Sequence, residues 1–178
     1  MKRLSVVPLV GALVAAAVLT TALFPRPSPA QTKASAELAA VTAARDWIGT
    51  PATPADLRGS VVVLDVFTVD CYNCQNVVPT LRDLYAHDRS RGLRVVGIHS
   101  PETPAERERA YVVRSLAQQG ITWPVAVDNS FALWRAYGIT AWPTQIFFDR
   151  QGRLRKVVVG DSQDAQVRAT VDMLLAER

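Results

Sequence analysis

The two cysteines of this chain, Cys71 and Cys74, are separated by two residues and directly follow an apolar run at 61–67. The run is rich in β-branched residues and predicts a strand that is covered on both faces. Apolar residues at helical spacing between positions 77 and 85 predict an amphipathic helix. The thiols therefore fall at a strand-to-helix junction, where the partial positive charge of the helix N-terminus favours a thiolate. This placement indicates dithiol chemistry in which Cys71 attacks and Cys74 resolves the mixed disulfide.

Two other uses of this cysteine pair fit the sequence less well. A tetrahedral zinc site needs four ligands, and the chain has only two cysteines. A structural disulfide between them would close a loop of only two residues, so it would remove little entropy from the unfolded chain. We therefore interpret the pair as redox-active.

The N-terminus is typical of an export signal. Met1-Lys2-Arg3 is followed by uncharged, mostly apolar residues at 4–24 and by a proline-rich break at 25–30. Cleavage after Ala30 and retention of the run as a single membrane anchor both fit this pattern. In either case the positive N-terminal flank predicts that the rest of the chain lies outside the cytoplasm. We expect a signal peptide or anchor at 1–30, a linker at 31–44 and one domain at 45–178.

The composition agrees with one globular domain behind this leader. The chain has 178 residues, of which 49% are hydrophobic, and this is enough for a core of ordinary size. Its formal net charge is +4, and it has no basic stripe with interleaved aromatic residues, so nucleic-acid binding is not expected. We expect a monomer that needs no metal or other cofactor.

The order of the predicted elements favours an α/β fold. A second buried strand is predicted at 93–98, and a final hairpin at 144–149 and 154–159. Helices are predicted within 37–47 and at 74–87, 104–119, 128–137 and 162–177. Alternating strands and helices before a hairpin predict a central mixed sheet with helices on both faces.

Positions around the dithiol make the folded part of the chain resemble the thioredoxin fold, a three-layer sandwich. Asp65 lies six residues before Cys71, and Trp142-Pro143 comes directly before the hairpin. The resemblance implies that Asp65 is a buried proton acceptor for Cys74. It also implies that Pro143 follows a cis peptide bond and that the Trp142 backbone pairs with a bound substrate segment.

A narrower resemblance is to the soluble domain of DipZ-type proteins, within the exported TlpA/ResA-like group. It rests on the segments 63–74, 97–102, 123–129 and 133–138. The resemblance implies a reductase of disulfides in exported proteins, apocytochrome c among them, that is supplied by a membrane electron donor of the CcdA type. It also implies that Glu102 lies near the dithiol, with a role in proton handling or substrate choice.

The neighbours of Cys71 are expected to tune its redox behaviour. Tyr72 and Asn73 lie between the two cysteines, and Asp70 precedes the first. A carboxylate beside Cys71 disfavours a second negative charge there. We expect this repulsion to make the dithiol more reducing.

Three alternatives to a reductase stay open at this stage. The same residues with the opposite redox poise would form an oxidant that introduces disulfides. Thr68, three residues before Cys71, matches a position that peroxiredoxins use, which admits thiol peroxidase activity. Cys71, Cys74 and His99 together admit a copper-binding chaperone without enzymatic activity.

Overall fold

Strands and helices alternate along the chain as the sequence predicts. The computed structural model describes residues 38–177. The strands are β1 (Trp47–Ile48), β2 (Val61–Phe67), β3 (Leu93–His99), β4 (Val125–Val127), β5 (Thr144–Phe148) and β6 (Leu154–Val159). The α-helices are α1 (Pro54–Leu57), α2 (Tyr72–Asp88), α3 (Arg109–Gln119), α4 (Ala132–Ala136) and α5 (Asp164–Ala176), and residues 38–42 are also helical.

One mixed sheet of six strands, in the order β1-β4-β3-β2-β5-β6, forms the middle layer. The three strands β2, β3 and β4 are parallel, whereas β5 is antiparallel to β2, and β1 and β6 pair antiparallel at the two sides. The loops that follow the parallel strands therefore gather at one edge of the sheet. Thr144, the first residue of β5, pairs with Val66 near the end of β2, so the segment before β5 reaches the same edge.

The central strand β2 organises the core. All of its residues are buried, as expected for a strand covered on both faces. Val63 and Phe67 join a hydrophobic cluster that includes residues of α2, α3 and α5, while Val62 and Leu64 join a second cluster with residues of α1 and α4. This alternation gives two helical layers on one sheet, and the predicted thioredoxin-like sandwich is confirmed.

The packed structure begins earlier than the predicted domain start at residue 45. Val41 is fully buried in the second cluster, and its backbone N–H donates to the hydroxyl of Tyr137 at 3.1 Å. Part of the predicted linker thus supplies apolar surface to the core, while the helix predicted within 37–47 ends at Thr42. The predicted signal or anchor at 1–30 lies outside the described residues. Within 38–177, no helix has the length and hydrophobicity needed to cross a bilayer.

The helix predicted at 104–119 is interrupted. Ala105–Arg107 forms a 3₁₀ turn, Glu108 has an extended backbone with φ −79° and ψ 110°, and α3 starts only at Arg109. Because the turn changes the direction of the chain, the side chain of Glu106 is fully buried instead of lying on a solvated helix face.

Candidate active site

The dithiol lies at the N-terminus of α2, at the edge where the loops gather. A loop at 68–70 links β2 to the helix, and Cys71 occupies the N-cap position of α2. The Cys71 sulfur accepts a hydrogen bond from the backbone N–H of Cys74, with 3.2 Å between Sγ and N. The two cysteines are not bonded to each other. The predicted position of both thiols in the first turn of the helix is confirmed.

The two thiols differ in exposure. Cys71 is half-buried, whereas Cys74 is only 4% exposed. Burial is the main reason that the pKa of Cys74 lies well above its usual value, and the hydrogen bond with Cys71 and the charge of Asp65 raise it further. Cys74 is therefore a protonated, shielded thiol, and Cys71 is the thiol that an incoming disulfide reaches first.

Asp65 is buried within β2, as the sequence predicts. Burial raises its pKa to about 6, and a hydrogen bond from Gln145 works in the opposite direction. The Gln145 amide nitrogen lies 3.0 Å from the Asp65 carboxylate, because β2 and β5 pair these two residues in register. A carboxyl with this pKa exchanges its proton near neutral pH, as a proton acceptor must.

The sequence does not identify Gln145 as a residue of the site. It is fully buried in β5 and holds the Asp65 carboxylate. The only available signal was a polar residue inside an otherwise apolar strand, two positions after Pro143.

The segment before β5 lies at the edge that carries the dithiol. The peptide bond between Trp142 and Pro143 is cis, which confirms the prediction. The Pro143 carbonyl accepts a hydrogen bond from the Gly160 N–H at 2.8 Å. The half-buried Trp142 ring lies 4.5 Å from the ring of Trp134, measured between centroids. These contacts hold the Trp142 backbone in place, and its pairing with substrate stays a prediction.

The structure connects Glu106, and not Glu102, to the loop before Cys71. The side chain of Glu102 is exposed, and only its backbone N–H takes part, as a donor to Glu106 at 2.6 Å. The buried Glu106 carboxylate accepts hydrogen bonds from the Thr68 hydroxyl and the Asp70 backbone N–H. A catalytic role of Glu102 stays a prediction, and its exposure gives that role no structural support.

The residues expected to tune the dithiol line its solvent side. Tyr72 is 75% exposed, and Asn73 is also exposed. The carboxylate of Asp70 accepts a hydrogen bond from the hydroxyl of Tyr111 at 2.7 Å. This contact fixes a negative charge next to Cys71, and its effect on the potential stays a prediction.

Among the described residues, the structure does not group His99 with the two cysteines as a copper site would need. His99 is fully buried at the end of β3, where its ring packs edge-to-face against Phe67. No group of three or more His, Cys, Asp or Glu side chains between residues 38 and 177 is arranged to hold a metal ion. His99 and the two cysteines therefore do not form a common metal site, because β3 directs His99 into the core.

The fold and the dithiol together define the class: this is a thioredoxin-like domain with a Cys-x-x-Cys pair at the N-terminus of a helix. A half-buried thiol on a helix N-terminus and a buried second thiol one turn away are arranged as thiol–disulfide exchange requires, and the cis-proline lies at the same edge.

The chain belongs to the AhpC/TSA family, whose family model matches residues 34–157. Protein DipZ of Mycobacterium tuberculosis is 34% identical over 133 residues, which cover 72% of this chain but only 19% of DipZ. Thiol-disulfide oxidoreductase ResA of Bacillus anthracis is 25% identical over 112 residues, or 63% of this chain and 62% of ResA. A solved thiol-disulfide isomerase structure from Corynebacterium glutamicum matches with a TM-score of 0.68 and 27% identity, over 76% of this chain and 94% of that chain. These relatives confirm the resemblance to DipZ-type and ResA-like proteins.

Proposed function

We propose that this protein reduces disulfides of other exported proteins by dithiol exchange at Cys71 and Cys74. The observation that carries the proposal is the contrast between the two thiols, one half-buried on a helix N-terminus and one buried behind it. The similarity to ResA, which is named a thiol-disulfide oxidoreductase, supports the same chemistry.

The first step transfers the substrate to Cys71. The Cys71 thiolate attacks one sulfur of the substrate disulfide, a Cys71–substrate disulfide forms, and the other substrate sulfur leaves as a thiolate. The N–H of Cys74, which already points at the Cys71 sulfur, stabilises negative charge on it before the attack.

The second step releases the substrate. Cys74 gives its proton to Asp65 and attacks the Cys71 sulfur, so that a Cys71–Cys74 disulfide forms and the second substrate sulfur leaves. Asp65 suits this role because its pKa of about 6 lets it hold the proton and later return it. Both electrons have then passed to the substrate, and an external donor must return two electrons to the cysteines.

The proposed location is argued from the N-terminal segment, and the proposed electron donor and substrate are argued from the family resemblance. The export signal predicted at the N-terminus supports a location outside the cytoplasm, with the protein either secreted or anchored by residues 4–24. The resemblance to the exported TlpA/ResA-like group supports a membrane electron donor of the CcdA type, and exported disulfides that include apocytochrome c as substrates. The carboxylate of Asp70 beside Cys71 supports a reducing poise.

The reduction potential of the Cys71–Cys74 pair tests the direction of electron flow. The purified protein is equilibrated with glutathione or dithiothreitol buffers, and the oxidised fraction is measured by thiol labelling. A reductase is expected near the roughly −270 mV of thioredoxin. A value near the roughly −120 mV of DsbA would make the protein an oxidant and overturn the proposed direction.

A further inference from the structure

Glu106 is a fully buried carboxylate whose two oxygens each accept two hydrogen bonds. Oε1 accepts from the Thr68 hydroxyl and from the Asp70 backbone N–H, the latter at 3.0 Å. Oε2 accepts from the backbone N–H groups of Glu102 and Thr103, each at 2.6 Å. A buried carboxylate is stable only with such partners, so this side chain has a defined place in the fold.

These four bonds tie together two loops at the active edge of the sheet. Thr68 and Asp70 belong to the loop between β2 and α2, and Asp70 is the residue directly before Cys71. Glu102 and Thr103 belong to the loop after β3. Glu106 therefore fixes the segment that carries the attacking cysteine to the neighbouring strand.

Further contacts hold the same short loop. The Val69 carbonyl accepts hydrogen bonds from the side-chain amides of Gln75 at 3.0 Å and Gln119 at 2.9 Å. The Asp70 carboxylate accepts from Tyr111. Every residue between β2 and Cys71 is therefore held by side chains from outside the loop.

The protonation of Glu106 suits a fixed anchor and not a proton carrier. Burial by itself raises its pKa, but the hydrogen bonds from Thr68 and from the backbone at 103, 70 and 102 lower the pKa by more, so that it lies below its usual value. The carboxylate stays ionised at neutral pH, and both its oxygens accept hydrogen bonds.

We propose that Glu106 is a positioning residue that sets the reactivity of Cys71 by holding the loop at 68–70. The proposal rests on the proposed dithiol function and adds a residue to it. Its physical basis is that the N–H groups of the helix N-terminus stabilise charge on the Cys71 sulfur only when that sulfur occupies the N-cap position.

The test measures the rate of Cys71 alkylation by iodoacetamide against pH, in full-length protein that carries Cys74→Ser so that only one thiol reacts. Glu106→Asp keeps the charge and both acceptor oxygens but shortens the side chain by one carbon–carbon bond, about 1.5 Å. It then no longer reaches both loops at once. Glu108→Asp is the matched control, since Glu108 lies two residues away with an exposed side chain that makes no cap hydrogen bond.

We expect Glu106→Asp to slow alkylation at neutral pH at least threefold and to move the midpoint of the pH–rate profile to higher pH. The control should leave both unchanged. A folded Glu106→Asp protein whose pH–rate profile has an unchanged midpoint overturns the proposal. A lower melting temperature alone would not support it, because a purely structural role affects stability alone.

A second variant decides the matter if Glu106→Asp does not fold. Thr68→Val keeps the shape of the side chain but removes one of the four donors, and we expect a smaller midpoint shift in the same direction. An unchanged midpoint in Thr68→Val would then refute the role of Glu106. Alkylation needs no exchange activity, so a wild-type protein that alkylates normally but reduces no disulfide would refute the proposed function and not this inference.

Discussion

At the scale of single residues, Cys71 and Cys74 differ only in their surroundings. One turn of helix separates a half-buried thiol from one that is 4% exposed. We expect Cys74→Ser to trap mixed disulfides with exported partners, because the intermediate on Cys71 then has no resolving thiol. Cys71→Ser should trap none, since burial keeps Cys74 from attacking. Non-reducing gels of tagged variants from intact cells measure this, and equal trapping by both variants would contradict the assigned roles.

Asp65 combines a functional advantage with a cost in stability. Its folded-state pKa of about 6 exceeds the ordinary 3.8, so the folded protein binds this proton more tightly than the unfolded chain. The contribution of Asp65 to stability is therefore lost as the pH rises from 3.8 through 6. We expect Asp65→Asn to raise the free energy of unfolding by on the order of 3 kcal/mol above pH 6, with no gain below pH 4.

The same variant should be a poor enzyme. Without a proton acceptor for Cys74, disulfide reduction is expected to slow by roughly 100-fold. Urea unfolding at several pH values and a disulfide-reduction assay measure the two effects. Asp172→Asn, at an exposed position of α5, is the control and should change neither. If Asp65→Asn kept full activity, Asp65 would not be the proton acceptor.

The sequence reveals Asp65 but not its partners. Asp65 was identifiable because its distance from Cys71 matches a known pattern. Glu106 was not, since helical spacing over 104–119 places it among exposed charges, and only the 3₁₀ turn at Ala105–Arg107 directs it inward. Gln145 depends on the register between β2 and β5, which joins residues 80 positions apart. Contacts of this kind need the folded chain.

At the scale of elements, the closing helix α5 seals one face of the sheet. Leu174 is fully buried in the same cluster as Val63 and Phe67, whereas its neighbour Met173 is 48% exposed. We expect Leu174→Ala to lower the free energy of unfolding by about 2–5 kcal/mol, because it leaves a cavity in that cluster. Met173→Ala should change it by less than about 0.5 kcal/mol. Chemical denaturation measures both, and equal effects would mean that α5 does not close the core.

Element boundaries were predictable where local sequence decides them. The apolar run fixed β2 at Val61–Phe67, and apolar spacing gave α2 and α5 to within a few residues. The start of α3 was not predictable, because it depends on the hydrogen bonds that hold the Glu106 side chain in the core. The helix at 38–42 was only partly predicted, since its packing depends on Val41 meeting a distant part of the chain.

At the scale of the whole molecule, the layered fold is predictable because β2 is apolar on both faces. The sheet topology is predictable from the thioredoxin-like positions around the dithiol. The sequence does not show which polar side chains become buried between the sheet and the helices. His99 shows this: the sequence offered it as a metal ligand, and the sheet places it in the core against Phe67.

Burial of His99 makes the stability of the whole fold sensitive to acid. Burial lowers the pKa of His99 from 6.5 to about 4, against the opposing charges of Glu106, Asp70 and Asp128. Between these pH values the unfolded chain binds a proton at His99 and the folded protein does not, so the free energy of unfolding falls as the pH falls. The loss reaches about 3 kcal/mol near pH 4.

We expect His99→Leu to remove this loss, so the difference in unfolding free energy between variant and wild type should grow in favour of the variant from pH 7 to pH 4. Using the difference cancels the contribution of Asp65, which has the opposite sign in the same range. His87→Leu, on the exposed face of α2, is the matched control for the replacement of a histidine by leucine. Urea unfolding at each pH gives both curves. A constant difference for His99→Leu would mean that His99 accepts its proton in the folded protein, and that solvent reaches the end of β3.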